Sequence, residues 1–351
     1  MSKIIHVGIA GFGMSAKTFH TPFLHQDPRF CIHKVFERQS DKAKSIYPYI
    51  TTVRDFTQLL EEDIDLVLIT TPNQTHYDFA KKAILAGKHV IVEKPLAITA
   101  QQAEELDVLA QKHHVMLSVY QNRRWDSGAL TVKKLIAENT LGEIVEYEIR
   151  YERYSPSKNK KAWKETGELG TGLVYDLGVH LIDEVLDLFG MPKALFADVA
   201  KQNPESGSDD SFRITFYYAD HKKVTLSSTK YAREPAPHII LQGKLGSYIK
   251  PKLDNQEALL MAGVQPKGDW NKESEQDWGI LHTEIDGLIV RQKLEPISGN
   301  YQAYYDNIYA VLTKKNAPLL VTAKQATTVL KLIEKVYESA ALGQKIYLVN
   351  Q

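Results

Sequence analysis

The chain has 351 residues, 43% of them hydrophobic and 25% charged, and its 43 Lys+Arg are matched by 43 Asp+Glu. That length points to two domains rather than one, and a formal net charge of zero gives no global drive toward nucleic acid or an anionic membrane. The single cysteine, Cys31, excludes an intrachain disulfide and a multi-cysteine metal site.

No apolar run approaches the ~20 residues that span a bilayer. The first residues run almost directly into a strand-like segment, without a signal-peptide pattern. A soluble cytoplasmic protein is the expectation.

In chain order, residues 4–10, 32–36, 65–70, 89–92 and 115–119 read as buried strands, with helical stretches at 75–86 and 100–113. Short Val/Ile/Leu runs alternating with helices predict right-handed βαβ units and a parallel sheet. Residues 1–122 therefore read as a doubly wound α/β domain of the Rossmann kind.

The first strand runs into Gly11-Phe12-Gly13-Met14-Ser15-Ala16. Gly11 permits a tight turn, Gly13 lets a pyrophosphate approach the backbone, and Ala16 lets helix and strand pack closely. The helix opening near Met14 and Ser15 offers free N–H groups to phosphates. Glu37 ends the second strand, where an acid can accept from ribose hydroxyls and repel the extra phosphate of NADP. Arg38 follows and could pair with that phosphate. The pair leans to NAD and leaves NADP open.

Thr71-Pro72-Asn73 and His76 follow the third strong strand. Asn73 and Thr75 suit helix capping, while Thr71, Asn73 or His76 could equally meet a dinucleotide. Glu93-Lys94-Pro95 ends the next strand. Proline restricts Lys94 to extended or turn geometry, and a cis Lys94–Pro95 bond would aim the ammonium inward.

Residues 123–351 change character and read as an α+β domain with a mostly antiparallel open sheet. Strands are expected at 143–154, 195–201, 212–218, 223–229 and 238–241, with a hairpin turn at Asp220-His221. Residues 257–286 read as irregular. Helices are expected at 301–314 and 323–342, free to pack back on the first domain. An open sheet face suits a partner subunit, so a homodimer or homotetramer is expected. The basic run Lys158-Asn159-Lys160-Lys161 reads as a solvated loop.

Residues 174–189 hold the most informative pattern. At about 100° per residue, Asp176, His180, Asp183 and Asp187 share one narrow stripe, with Glu184 at its edge and apolar residues elsewhere. Such groups are costly to bury without partners, so the stripe predicts a cleft, a partner charge or a ligand. A buried ion-pair network is the structural alternative. A metal site from His180, Asp183 and Glu184 has only generic spacing, and no metal is expected.

Gly11-x-Gly13-x-x-Ala16, Thr71-Pro72-Asn73-x-x-His76, Glu93-Lys94-Pro95 and Asp176-x-Gly178-x-His180 occur in that order. Together they resemble the glucose–fructose oxidoreductase / inositol dehydrogenase (Gfo/Idh/MocA) family. Residues 119–126 further resemble the subgroup that includes NADP-dependent scyllo-inositol dehydrogenase, in which a small residue plus arginine ends the second strand. Glu37-Arg38 departs from that.

The resemblance implies a cytoplasmic oxidoreductase passing a hydride between a nicotinamide dinucleotide and a carbinol carbon of a sugar, inositol or related polyol. It implies His180 as general base, Asp176 as ring-orienting or hydroxyl-binding, and Lys94 as donor to the reacting oxygen and the nicotinamide ribose. Asp183 and Arg123 suit further sugar hydroxyls, and Tyr154, Trp163 and Lys164 a loop over substrate. Lys164 departs from the arginine that relatives often carry after the tryptophan. Two other readings stay open: an NAD-dependent glycoside hydrolase of the same fold, and a non-catalytic dinucleotide sensor.

Overall fold

In the computed structural model, which describes residues 3–157 and 165–348, the apolar runs of the first third become a six-stranded sheet. Its strands are β1 (Ile5–Ala10), β2 (Phe30–Phe36), β3 (Thr51–Val53), β4 (Leu66–Ile69), β5 (His89–Val92) and β6 (Leu117–Val119). They lie in the order β3-β2-β1-β4-β5-β6, all parallel. The strand order reverses between β1 and β4, and ligands of doubly wound sheets bind at such a switch point, beyond the carboxyl ends. Every residue of β4 is buried, as a strand covered on both faces requires.

The helices of this region are α1 (Thr21–Gln26), α2 (Lys42–Ile46), α3 (His76–Leu85) and α4 (Ala100–Lys112). A π-helical turn, Ala16–His20, runs straight into α1. Pro22 sits in the first turn of α1, where its missing N–H costs nothing.

Beyond α5 (Ser127–Ala137) and β7 (Ile144–Glu152), a second π-helical turn, Val174–Gly178, leads into α6 (Val179–Phe189). Then come β8 (Ala194–Ala200), β9 (Ser211–Tyr217), β10 (Lys223–Thr229), β11 (Ile239–Gly243) and β12 (Gly246–Lys250). The rest is α7 (Gln256–Met261), β13 (Gly279–Ile285), β14 (Leu288–Leu294), α8 (Gln302–Thr313), α9 (Ala323–Leu342) and β15 (Ile346–Tyr347).

The second sheet has nine strands in the order β14-β13-β12-β11-β7-β10-β9-β8-β15. Its pairs are antiparallel except β7 with β10. Parallel neighbours cannot be joined by a hairpin. The chain between β7 and β10 accordingly carries α6, which packs against β10. Along β7 the buried residues Tyr147, Ile149 and Tyr151 alternate with half-buried ones, the signature of a sheet covered on one face.

The reading of 257–286 as irregular is corrected. That stretch holds α7 and β13, and β12 and β14 beside it were also unmarked. β14 has no buried residue, so the hydrophobic alternation that reveals a strand is weak there.

The residues group into two compact units. One comprises Met1–Asn122, Gln256–Asn271 and Asn300–Leu330; the other comprises Arg123–Asn255, Lys272–Gly299 and Lys331–Gln351. In the first unit, the Tyr304 hydroxyl of α8 donates to Ser118 Oγ at 2.9 Å, and Ser118 Oγ to the Val321 carbonyl at 2.8 Å. These bonds tie the late helical segment to β6. Among the described residues no helix is long and apolar enough to cross a membrane.

Candidate functional site

In the first unit, the carboxyl ends of β1, β2, β4 and β5 bring the predicted cofactor residues to one edge of the sheet. Gly11 has φ +92°, and a Cβ there would press on Thr71 Cγ2 at 3.1 Å. Only glycine adopts this turn cheaply. A Cβ on Gly13, by contrast, would meet nothing within 4 Å, so the second glycine leaves open space beside the backbone. Ala16 is fully buried and Met14 is exposed. This turn fits a pyrophosphate group.

Ser15 and Glu93 are joined by a short hydrogen bond from the serine hydroxyl to Oε1. His20 Nε2 lies 2.8 Å from the same oxygen, and its Nδ1 lies 2.5 Å from the Tyr305 hydroxyl of α8. Burial works upward on the Glu93 carboxyl. The hydrogen bond and charge of His20, the Ser15 hydroxyl and the Lys94 charge outweigh it and hold the group down at about 2. Glu93 is therefore an anion with Ser15 Oγ and His20 Nε2 against one oxygen, and burial pushes the Tyr305 phenol well up, so that it keeps its proton. The Lys94 amide donates to Glu93 Oε2 at 3.2 Å, and the Lys94–Pro95 bond is cis. The chain of bonds thus links the Gly11–Ala16 turn to the segment bearing Lys94. Its distal members, His20 and Tyr305, had no sequence signal, because 285 residues separate them.

His76 is fully buried. Its Nδ1 faces the Pro95 carbonyl at 2.7 Å and its Nε2 faces the Thr71 carbonyl at 2.8 Å. The ring joins the segments after β4 and β5, and burial lowers its basicity. Thr75 Oγ1 donates to the Pro72 carbonyl at 2.8 Å and lies 2.6 Å from the Thr71 hydroxyl, and Asn73 opens the short turn before α3.

Glu37 is buried and turned into its own loop. Its oxygens accept from Ser40 Oγ at 2.6 Å, the Lys42 amide at 3.2 Å and the Ala43 amide at 2.9 Å, which caps α2. Arg38 is exposed.

In the second unit, α6 carries the polar stripe. His180 is 6% exposed, Asp183 2% and Glu184 3%, while Asp176, within the π turn, is half-buried. The Val174–Gly178 turn is held at its start by Asp209, whose Oδ2 accepts from the Val174 amide at 2.9 Å and whose Oδ1 accepts from the Tyr337 hydroxyl at 2.8 Å.

The lower part of the stripe is an ion-pair network. Arg124 donates to both oxygens of Asp183 at 2.7 Å and reaches Asp187 at 3.5 Å, and Lys133 pairs with Asp187 at 2.9 Å. Asp183, expected to meet substrate, thus has both oxygens engaged by Arg124. Burial raises its carboxyl and Arg124 opposes that rise. The second arginine of the tandem pair was the signal for this partner.

Arg123 pairs with Asp126 at 3.2 Å and lies over the Tyr151 ring at 4.9 Å. Tyr154 is exposed, with the Arg233 guanidinium 3.7 Å from its ring centre. Trp163, Lys164 and the Lys158–Lys161 run lie outside the described residues.

Residues 5–121 match the family model "Oxidoreductase family, NAD-binding Rossmann fold", and residues 133–348 match "Oxidoreductase family, C-terminal alpha/beta domain". The chain is 39% identical to the uncharacterized oxidoreductase YdgJ of Escherichia coli K12, covering 97% of both chains. It is 36% identical to the scyllo-inositol 2-dehydrogenase (NADP(+)) IolW of Bacillus subtilis 168, covering 98% of this chain and 96% of the relative. A crystal structure of an oxidoreductase from Bacillus cereus superposes with a TM-score of 0.91 at 31% identity, over 99% of both chains.

Proposed function

The chain belongs to the Gfo/Idh/MocA oxidoreductase family, and from that premise we propose that it moves a hydride between a nicotinamide dinucleotide and a carbinol carbon of an inositol, sugar or related polyol. The observation that carries the reading is the placement of half-buried Asp176 and buried His180 about one turn apart at the head of the polar stripe that continues along α6. The likeness to a scyllo-inositol 2-dehydrogenase supports a polyhydroxylated ring as substrate.

Bound, the dinucleotide supplies the hydride acceptor or donor. The chain supplies the rest. The Gly11–Ala16 turn and the amides of Met14 and Ser15 receive the phosphates, with Thr71, Pro72, Asn73 and His76 shaping the neighbouring edge. Loss of a hydride from a carbinol requires loss of the hydroxyl proton, and His180 takes it, since an imidazole changes charge near neutral pH. Asp176 orients that ring or a neighbouring hydroxyl. Lys94 donates to the reacting oxygen and opposes the charge that develops on it. Arg123 and Tyr154 contact other hydroxyls.

For the cofactor, the engagement of Glu37 by its own loop supports a reading away from NAD. With Arg38 exposed, we assign NADP as the preferred dinucleotide. We also propose a homodimer or homotetramer through the open face of the second sheet. There Ile280, Ile249, Ile240, Glu148, Thr225, Thr215 and Phe196 are successive cross-strand partners, and Ile249 and Phe196 are exposed. Light scattering that returns a monomer mass would remove this assembly.

The central experiment follows reduced nicotinamide over a panel of inositols and aldoses, with NAD and NADP in parallel. Turnover of a cyclic polyol, faster with NADP, is expected. Lys94→Ala should lower kcat by about 100-fold or more while dinucleotide binding persists. Dinucleotide binding with no turnover on any polyol would overturn the reading.

A further inference from the structure

The loop after β2, which bears Arg38, is held from two sides. On the inside, the Glu37 carboxylate accepts from Ser40 Oγ and from the Lys42 and Ala43 amides. On the outside lies Arg54, which the reaction proposed above does not use. β2 and β3 run parallel with Phe36 opposite Val53, and the Glu37 amide donates to the Val53 carbonyl at 3.1 Å. The register therefore brings Glu37 and Arg54, the next residue of each segment, side by side at the carboxyl edge of the sheet.

From there the Arg54 guanidinium spans the loop. Nη1 donates to the Glu37 carbonyl at 2.8 Å and to the Ser40 carbonyl, and Nη2 donates to Asp41 Oδ2 at 2.7 Å. One nitrogen thus ties together the two ends of the stretch Arg38-Gln39-Ser40, and the other anchors the residue beyond it. The Arg54 backbone is itself fixed: its amide donates to Gln58 Oε1 at 3.3 Å, an oxygen that also accepts from the Asp55 amide. Between the tied ends, Arg38 and Gln39 are exposed. The Arg54 and Asp41 side chains are 48% and 57% exposed, and ion pairs in that setting add little to stability. What the ties do is restrict the loop before a ligand arrives, which lowers the ordering cost of binding.

We propose, resting on the assignment of NADP above, that Arg54 is a positioning residue for dinucleotide specificity: it fixes the loop between Glu37 and Asp41 so that Arg38 is presented to the 2′-phosphate of the adenosine ribose. The end of the second strand is where a doubly wound sheet meets that ribose. Arg54 acts through Arg38, so it favours a 2′-phosphorylated adenosine and does little for one whose 2′-hydroxyl is bare. A lysine in its place brings one nitrogen to the loop and lacks the planar fork that spans both carbonyls and the carboxylate.

The test is calorimetric titration of the full-length protein with adenosine 2′,5′-bisphosphate and with adenosine 5′-monophosphate, which differ only by the 2′-phosphate. Arg54→Ala should weaken the bisphosphate about tenfold, of the order of one hydrogen bond to a charged group, and leave the monophosphate within about twofold. The thermal unfolding midpoint should stay close to wild type, as for other exposed pairs. Arg54→Lys should recover part of the bisphosphate affinity. In the Arg38→Ala background, Arg54→Ala should cost less than about twofold, because a residue that acts through another then has nothing left to position.

Equal weakening of both nucleotides by Arg54→Ala, no weakening of the bisphosphate, or an undiminished loss in the Arg38→Ala background overturns the proposal. Bisphosphate affinity unchanged in Arg38→Ala alone would overturn the NADP assignment, and this proposal with it. The single Arg38 variant therefore tells the two failures apart.

Discussion

Arg124 grips Asp183 in a fork, Nε to Oδ2 and Nη2 to Oδ1, each at 2.7 Å, with 6% and 3% of the two side chains exposed. Removing the guanidinium leaves a carboxylate that burial already pushes upward. Arg124→Ala should cost about 3–5 kcal/mol, the usual penalty for breaking a buried pair from one side. Lysine, lacking the fork, should recover only part of it. A carboxyl whose pKa is raised by folding stabilises at low pH and is lost as pH rises through the folded value. The deficit should therefore grow with pH in urea denaturation at successive pH values. Equal stability of wild type and Arg124→Ala would mean the fork contributes nothing.

Gly13 separates ligand from fold. Since a Cβ there meets nothing within 4 Å, Gly13→Ala should leave stability within about 0.5 kcal/mol of wild type. It should nonetheless weaken NADPH binding at least tenfold, because the methyl occupies space meant for phosphate. Gly11→Ala should instead lose stability, having both a φ of +92° and Thr71 against it. Calorimetry of folding and fluorescence titration of NADPH read the two effects apart.

Arg38 should decide the dinucleotide. A charge-assisted hydrogen bond contributes about 1.5–3 kcal/mol, so Arg38→Ala should weaken NADPH by roughly tenfold or more and leave NADH nearly unchanged. Glu37→Ala should act differently: it uncaps α2 and lowers stability by about 1 kcal/mol without restoring a preference for NADH. Equal losses for both dinucleotides in Arg38→Ala would refute this assignment.

Glu93 gives the first unit a defined acid weakness. Its carboxyl sits at about 2 against an ordinary value of 4.5. A lowered carboxyl stabilises above the unfolded value and is lost as pH falls toward the folded one. Unfolding free energy should fall steeply between these two values in wild type. His20→Ala removes a donor to the anion and should start about 1–3 kcal/mol lower, with a shallower slope across the same window. Parallel slopes would show that His20 does not set the charge of Glu93.

The parallel sheet was legible because β1, β4 and β5 are short apolar runs flanked by helical patterns, the least ambiguous of sequence signals. The glycine turn and Glu93-Lys94-Pro95 were legible as motifs. The outer hairpin β13–β14 was not, since its residues are largely exposed. Its Asp286-Gly287 turn, with φ of +51° and +78°, carried the missed signal, because Asp-Gly between strands marks a two-residue hairpin. The inward turn of Glu37 had no trace in the sequence either, because capping by a carboxylate depends on where the next helix begins.

A π turn is an α-helix with one residue inserted. Val174–Gly178 is such a turn; it holds Asp176 and leads directly into α6, which bears His180. Deleting one residue there would let the backbone relax into ordinary α geometry and rotate the residues before the deletion by about 100° against those after it. The shortened helix would stay regular, but Asp176 would point to a different quarter of its circumference from the one it now occupies. Sequence length in this segment is thus under a constraint that no single substitution reveals.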